Sequence, residues 1–228
     1  MKEAQLREDP VEKKASMSQR VYDRMADSYD PLMTMYRYAP AVREIVGNAL
    51  DRVPHQGKVL DMGCGTGFAL EAVAARRPDV ELTGLDLTPG MLDICRNKIP
   101  TAKLILGDFN KVDGYRAFSN GEPAGLDEDY DLIISTGAVS EYADLEATLP
   151  LLRDHLRPGG TFLNIGIGRN PVNLISGMLW RFRPRGSRDF MTACERAGFQ
   201  KVTRQTIRWR WFPTNVLKYA VSARKPDA

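Results

Sequence analysis

The chain has 228 residues, 43% of them hydrophobic and 27% charged, with a formal net charge of +3. That balance fits one globular domain with a sizeable core and excludes a disordered or low-complexity chain. Its apolar runs fall well short of the roughly 18 residues a membrane span requires, and its three cysteines, Cys64, Cys95 and Cys194, are odd in number and lack C-x-x-C spacing, so they read as free thiols rather than as a disulfide framework or a zinc site.

Met1 to Gln19 is charged throughout and reads as a frayed arm, not a secretory leader, so the protein is expected in the cytoplasm. The segment VYDRMADSYDPLM, Val21 to Met33, follows it. Val59 and Leu60 then read as the end of a buried strand that Asp61 closes. Behind them Gly63, Gly65 and Gly67 stand at every second position, a loop that can turn tightly and leave its backbone bare for a ligand. Phe68 to Arg77 is a run of good helix formers that stops at Pro78, and Val80 to Leu85 is a second apolar run ending at Asp86. Strand, glycine loop and helix form the first half of a βαβ crossover, in which the acid after the second strand is placed to take ribose hydroxyls. The dinucleotide fingerprint G-x-G-x-x-G wants a glycine where Phe68 stands, which weighs against the competing reading of an NAD-dependent oxidoreductase.

Further along, LILGDF (Leu104 to Phe109) reads as a third strand ending in Gly107, Asp108 and Phe109, and Gly114 to Asp129 reads as a surface loop. Leu132 to Ile134 form a fourth strand followed by Ser135, Thr136 and Gly137, with Glu141 at the start of a helix. His155 lies near a helix end, where a cation suits the helix dipole, and neither it nor His55 has a second ligand at helical spacing. In LRPGG, Leu156 to Gly160, Pro158, Gly159 and Gly160 are expected to break a helix before a strand over Thr161 to Ile167, and GFQKV and VLKYAVSARK supply two closing strands. Between Arg169 and Arg210 ten Arg or Lys face only Asp189 and Glu195, a local balance of +8, with Trp180 and Trp209 inside the stretch and Trp211 just past it. Nothing in it matches a nucleic-acid reading motif. Leu174, Ile175, Met178, Leu179, Trp180 and Phe182 make an apolar piece accompanied by Arg181, Arg183, Arg185 and Arg188. Such a piece is expected to contact a membrane surface over residues 174–188, or to act as a mobile lid on its own domain.

An acid ending each of the first two strands with a G-x-G-x-G loop between them, joined by LILGDF, YDLIISTGAVSEY, LRPGG and the closing hairpin, resembles the class I S-adenosylmethionine-dependent methyltransferases. The resemblance spans about residues 20 to 225. Tyr22 to Asp30 is similar to the Y-D-x-x-A-x-x-Y-D lead-in of members that act on small or lipid-like substrates, the quinone-ring methylases among them. The resemblance implies an α/β fold with a Rossmann-like, doubly wound, seven-stranded sheet, parallel except for one antiparallel strand in the carboxyl-terminal hairpin. It implies a flexible arm over residues 1–19, a single domain over 20–228 and a substrate lid at 168–188.

S-adenosyl-L-methionine is the implied cofactor and S-adenosyl-L-homocysteine the product. The implied binding residues are Tyr29, Asp61, Gly63, Cys64, Gly65, Gly67, Asp86, Leu87, Met91, Asp108, Phe109, Ser135, Thr136 and Gly137. In that scheme Asp108 meets the adenine amino group, Phe109 flanks the ring, Ser135 to Gly137 lie beneath the sulfonium end and Tyr29 lies near the methionine end. Methyl transfer is an in-line displacement in which positioning alone supplies on the order of 7–11 kcal/mol, so a base is optional and no metal is expected. Glu141 is the first candidate for a base, against the plainer reading of a glutamate that caps a helix. The implied acceptor is a small molecule, possible types being a quinone or a phospholipid, and a noncatalytic cofactor binder is the remaining alternative.

Overall fold

The computed structural model describes residues 30–227 apart from 32, 112, 113 and 181. Helix α1 (Tyr38–Leu50) leads into strand β1 (Lys58–Met62), and helix α2 (Phe68–Arg76), strand β2 (Glu81–Asp86), helix α3 (Pro89–Lys98) and strand β3 (Lys103–Leu106) follow in alternation. Parallel strands need a crossover, and α2 and α3 each supply one. A two-residue strand β4 (Arg116–Ala117) precedes strand β5 (Tyr130–Thr136), the short helix α4 (Val139–Tyr142), helix α5 (Leu145–His155) and strand β6 (Leu156–Ile167). The chain ends with helix α6 (Pro171–Trp180), helix α7 (Ser187–Arg196), strand β7 (Gln200–Gln205), a 3-10 turn at Trp209–Trp211, the short helix α8 (Thr214–Leu217) and strand β8 (Lys218–Arg224).

The strands form one sheet in the order β4-β3-β2-β1-β5-β6-β8-β7. β8 runs antiparallel to both β6 and β7, which gives the expected seven strands with one reversed. β4 adds an antiparallel edge through Ile105–Ala117 and Leu106–Arg116, so the stretch expected as a surface loop carries sheet structure of its own. Tyr115 beside it is 3% exposed.

The helix before LRPGG ends at His155 as expected, but the strand begins earlier, at Leu156. Gly159 turns the chain with φ 71°, and the pairing with β5 jumps from Tyr130–Leu156 to Leu132–Thr161, so the turn residues are extruded as a bulge within one twelve-residue strand.

Alternation along the strands sends side chains to two faces. Val59, Leu132, Ile134, Leu163 and Ile165 pack with Val42, Val46, Leu70, Val73 and Leu92 of α1, α2 and α3. Leu60, Met62, Ile133 and Phe162 pack on the other face with Leu149 and Leu152 of α5 and Phe190 of α7. The sheet is therefore doubly wound, and its chain order reverses between β1 and β5. In open α/β sheets, ligands bind at the carboxyl ends of the strands beside that reversal.

Candidate active site

The glycine loop is folded by its neighbour strand: the N–H groups of Gly63 and Cys64 both donate to the Leu85 carbonyl, at 2.8 and 3.0 Å, and the Gly67 N–H donates to Cys64 O at 2.9 Å. Gly63, Gly65 and Gly67 have φ of 76°, 53° and 87°, the left-handed region that glycine enters freely. Their surroundings differ. A Cβ at position 63 would lie 2.3 Å from the Ala138 Cβ, and one at 67 would lie 2.7 Å from Cys95 Sγ. A Cβ at 65 would meet no atom within 4 Å. Packing demands the outer two glycines, whereas Gly65 borders a hollow.

Two carboxylates stand at the strand ends on either side of the loop. Asp86 accepts from the Gly65 N–H at 2.8 Å and from the Thr88 N–H at 2.9 Å, tying the loop to the end of β2. Burial raises its pKa against the pull of those donors. Asp61 is fully buried, and neither of its oxygens has a hydrogen-bond partner among the described residues. Burial first, and then the charge of Asp86, push its carboxyl up to about 8. Buried polar groups are nearly always paired, so Asp61 marks a place where a donor is missing.

The remaining expected residues gather at the same edge of the sheet with unequal freedom. Asp108, just past β3, accepts from the backbone and side chain of Asn110. A Phe109 ring carbon lies 3.8 Å from the position a Cβ on Gly63 would take. Leu87 is half-buried and Met91 is in the core at 2% exposure. Ser135 is buried and accepts from the Val139 N–H at 3.0 Å, so its hydroxyl already caps α4. Thr136 and Gly137 are half-buried, and Gly137 turns with φ 78°. Cys64 is buried, and contact with Cys95 together with burial holds its thiol well above the ordinary range, which makes it a filler rather than a nucleophile.

Glu141 departs from the expectation of a surface cap partner and from that of a base open to the acceptor. It is 2% exposed, and its two oxygens accept from Ser140 Oγ and from the Ile167 N–H. Its carboxylate is thereby committed to holding the ends of α4 and β6 together.

Tyr29 and Tyr22 lie outside the described residues. The described end of their segment, Asp30, docks on the glycine loop: it accepts from Thr66 Oγ1 at 2.6 Å and pairs with Lys98. Arg185, expected to face solvent or lipid, instead donates to the carbonyls of Ser140 and Ala143, and Arg208 and Arg210 pair with Glu44. The local +8 is thus partly consumed inside the molecule. Arg181 lies outside the described residues. α6 leaves the carboxyl end of β6 and is pinned by Asn173, whose amide donates to the carbonyls of Gly168 and Leu217. Val172, Leu174, Ile175 and Met178 of α6 are exposed, Met178 at 76%. Among the described residues no helix is long and apolar enough to cross a membrane, and no group of three or more His, Cys, Asp or Glu could hold a metal.

A family model described as a methyltransferase domain matches residues 60–162, the stretch from the glycine loop to β6. The ubiquinone biosynthesis O-methyltransferase of Cereibacter sphaeroides is 31% identical over 179 residues, which are 70% of this chain and 69% of that protein. The malonyl-[acyl-carrier protein] O-methyltransferase of Acetivibrio thermocellus is 29% identical over 143 residues, 61% of this chain and 45% of that protein. The chain spans under half the length of two of the curated relatives it matches, 28% of one and 45% of the other. Among solved structures, the geranyl diphosphate C-methyltransferase of Streptomyces coelicolor, in complex with Mg2+, geranyl diphosphate and S-adenosyl-L-homocysteine, superposes with a TM-score of 0.65 at 12% identity, covering 83% of this chain and 80% of that one. The order of the sheet, the glycine loop between two acid-ended strands and these matches together make the chain a member of the class I S-adenosylmethionine-dependent methyltransferases.

Proposed function

We propose that the chain transfers a methyl group from S-adenosylmethionine to a small acceptor of amphipathic or lipid-like character. The observation that carries the reading is the open space at Gly65, where a side chain would meet nothing, beside Asp86 and a buried Asp61 whose carboxyl lacks a partner. The chemistry of that donor set fits the cofactor. Asp86 closes β2 beside the loop, where its carboxylate, held by the Gly65 and Thr88 N–H groups, is placed to accept from ribose hydroxyls. Asp61 lacks the donor that the methionine ammonium, directly or through a water, would provide.

When bound, the cofactor supplies an electrophilic methyl on a sulfonium. The chain's own part is positional: the Gly65 backbone lets the ligand lie against the peptide, Phe109 flanks the base, and the Thr136–Gly137 turn at the end of β5 sets where the methyl emerges. Excluding water and holding the acceptor in line is where such an enzyme gains most of its rate.

Two features support an amphipathic acceptor. The exposed aliphatic face of α6 leads away from the same edge of the sheet, with Phe212 and Val216 also exposed on the segment to which α6 is pinned. The similar protein from Cereibacter sphaeroides carries the name of an O-methyltransferase of ubiquinone biosynthesis. Residues 168–188 are read here as a lid that a membrane surface or an acyl chain meets. Incubation with methyl-labelled cofactor tests the reading: label should appear in an alkylated catechol and stay out of its short-chain counterpart. Cofactor that binds and is never consumed by any offered acceptor would support a noncatalytic binder instead.

A further inference from the structure

Lys218 opens β8 opposite Ile167, the last residue of β6, so its side chain starts at the edge of the sheet where the glycine loop lies. Its amine nitrogen stands 4.3 Å from the centroid of the Tyr38 ring and 3.6 Å from the position a Cβ on Gly137 would take. It therefore overlooks the turn from which the transferred methyl is proposed to emerge. The Tyr38 ring meets Phe68, the first residue after the glycine loop, edge to face at 6.5 Å, and Lys98 sits 4.7 Å over the Phe68 ring. Two ammonium groups thus flank one aromatic pair, and they differ in one respect. Lys98 is neutralised by Asp30. Among the described residues no carboxylate lies within ion-pair distance of Lys218.

The acid that influences Lys218 is Glu141, which acts from farther away and whose oxygens are both occupied by Ser140 and Ile167. A half-buried ammonium with a π face against it and no carboxylate at ion-pair distance is under-compensated. A ligand oxyanion would supply what Glu141 does not.

We propose that Lys218 selects the acceptor: its ammonium receives the ionisable oxygen of a phenol or carboxylic acid and holds it as the oxyanion that takes the methyl. This rests on the methyl-transfer reading above and narrows its acceptor to an oxygen acid. The oxyanion forms the new oxygen–carbon bond, the carbon–sulfur bond breaks with its electron pair going to sulfur, and Lys218 keeps its proton throughout. The acceptor's own proton has left to solvent before binding. An amine acceptor is disfavoured, because its protonated form would place a second cation beside Lys218 and the sulfonium. Glu141 is the positioning residue, offsetting part of the ammonium's burial without reaching the acceptor.

The test uses the full chain saturated with S-adenosylhomocysteine and two probes, 4-fluorobenzoate and 4-fluorobenzylamine, followed by fluorine NMR. The acid should bind and the amine should not. Lys218→Met should weaken the acid at least tenfold, Lys218→Arg should restore most of the loss, and neither should move the affinity for S-adenosylhomocysteine. A measurement on the unmutated chain stands beside these: binding of the acid should fade as pH rises through the lysine pKa, which burial sets below its ordinary 10.5, with Glu141 of α4 and Tyr38 of α1 as the groups facing the amine. Equal binding by Lys218→Met, preference for the amine, or no binding of the acid overturns the assignment. If S-adenosylhomocysteine itself fails to bind, it is the broader methyl-transfer reading that falls.

Discussion

Replacing Asp61 by Asn should make the ligand-free protein more stable, although Asp61 is among its most buried side chains. Most substitutions at such positions destabilise. Here the native carboxyl is unpartnered, and its pKa stands at about 8 against an ordinary 3.8 because burial, reinforced by Asp86, penalises the charge. Its contribution to stability is greatest below the unfolded value and is lost as pH rises through the folded one, since the fold holds the proton that the unfolded chain releases. At pH 7 the gap above 3.8 corresponds to a penalty of at most about 4 kcal/mol, at roughly 1.4 kcal/mol per pH unit. The carboxamide has the same shape and no charge, so it should escape most of that penalty. For a domain of this size each kcal/mol moves Tm by about 2–4 °C, so the variant should melt on the order of 10 °C higher at pH 8.5 and only about 2–4 °C higher at pH 4.5. Thermal melts followed by circular dichroism at pH 4.5, 7 and 8.5 are the assay, with a titration of S-adenosylhomocysteine alongside. The gain in stability should come with at least a tenfold loss of affinity, because the amide cannot offer a charged acceptor to the ligand. A variant that is less stable at every pH, or whose advantage does not grow between pH 4.5 and 8.5, would refute the argument.

Asp86→Ala removes the acceptor that holds the Gly65 and Thr88 N–H groups and, on this account, the ribose; losing a charge-assisted hydrogen bond of about 1.5–3 kcal/mol should weaken S-adenosylhomocysteine tenfold or more in a calorimetric titration, with the fold retained. Gly65→Val and Gly67→Val should separate binding from folding: the first points its side chain into the hollow and should abolish binding with a modest loss in Tm, while the second forces a Cβ to 2.7 Å from Cys95 Sγ and should lower Tm far more. Val172, Ile175 and Met178 changed together to Ser should abolish flotation with anionic liposomes if α6 meets a membrane; if the native chain does not float, the exposed face belongs to the acceptor alone.

The glycine loop and the strand–helix alternation were legible because they rest on short-range patterns, namely glycine spacing, apolar runs and an acid at each of two strand ends, whereas the sheet came only through the resemblance those patterns carry. Residues whose environment is made by distant partners were not. Arg185 reads as a solvent-facing arginine in a basic run, yet carbonyls of Ser140 and Ala143, more than forty residues upstream, draw it inward. Glu141 stands correctly at the start of a helix after the fourth strand, but only the backbone of Ile167 shows that its carboxylate is taken. LRPGG carries every mark of a turn, and the register with Tyr130 and Leu132 determines that it bulges from a continuous strand. Lys218 was within reach. A lysine that opens the reversed strand of the closing hairpin has to start at the carboxyl edge where the ligand site lies.

The central claim, that the cradle at Gly65 holds an S-adenosyl ligand, is tested most directly by calorimetric titration of the native chain and of Gly65→Val with S-adenosylhomocysteine and with NAD. The account predicts one S-adenosylhomocysteine per native chain, none for folded Gly65→Val, and no heat from NAD. Binding retained by the valine variant, or binding of NAD in place of S-adenosylhomocysteine, would contradict it.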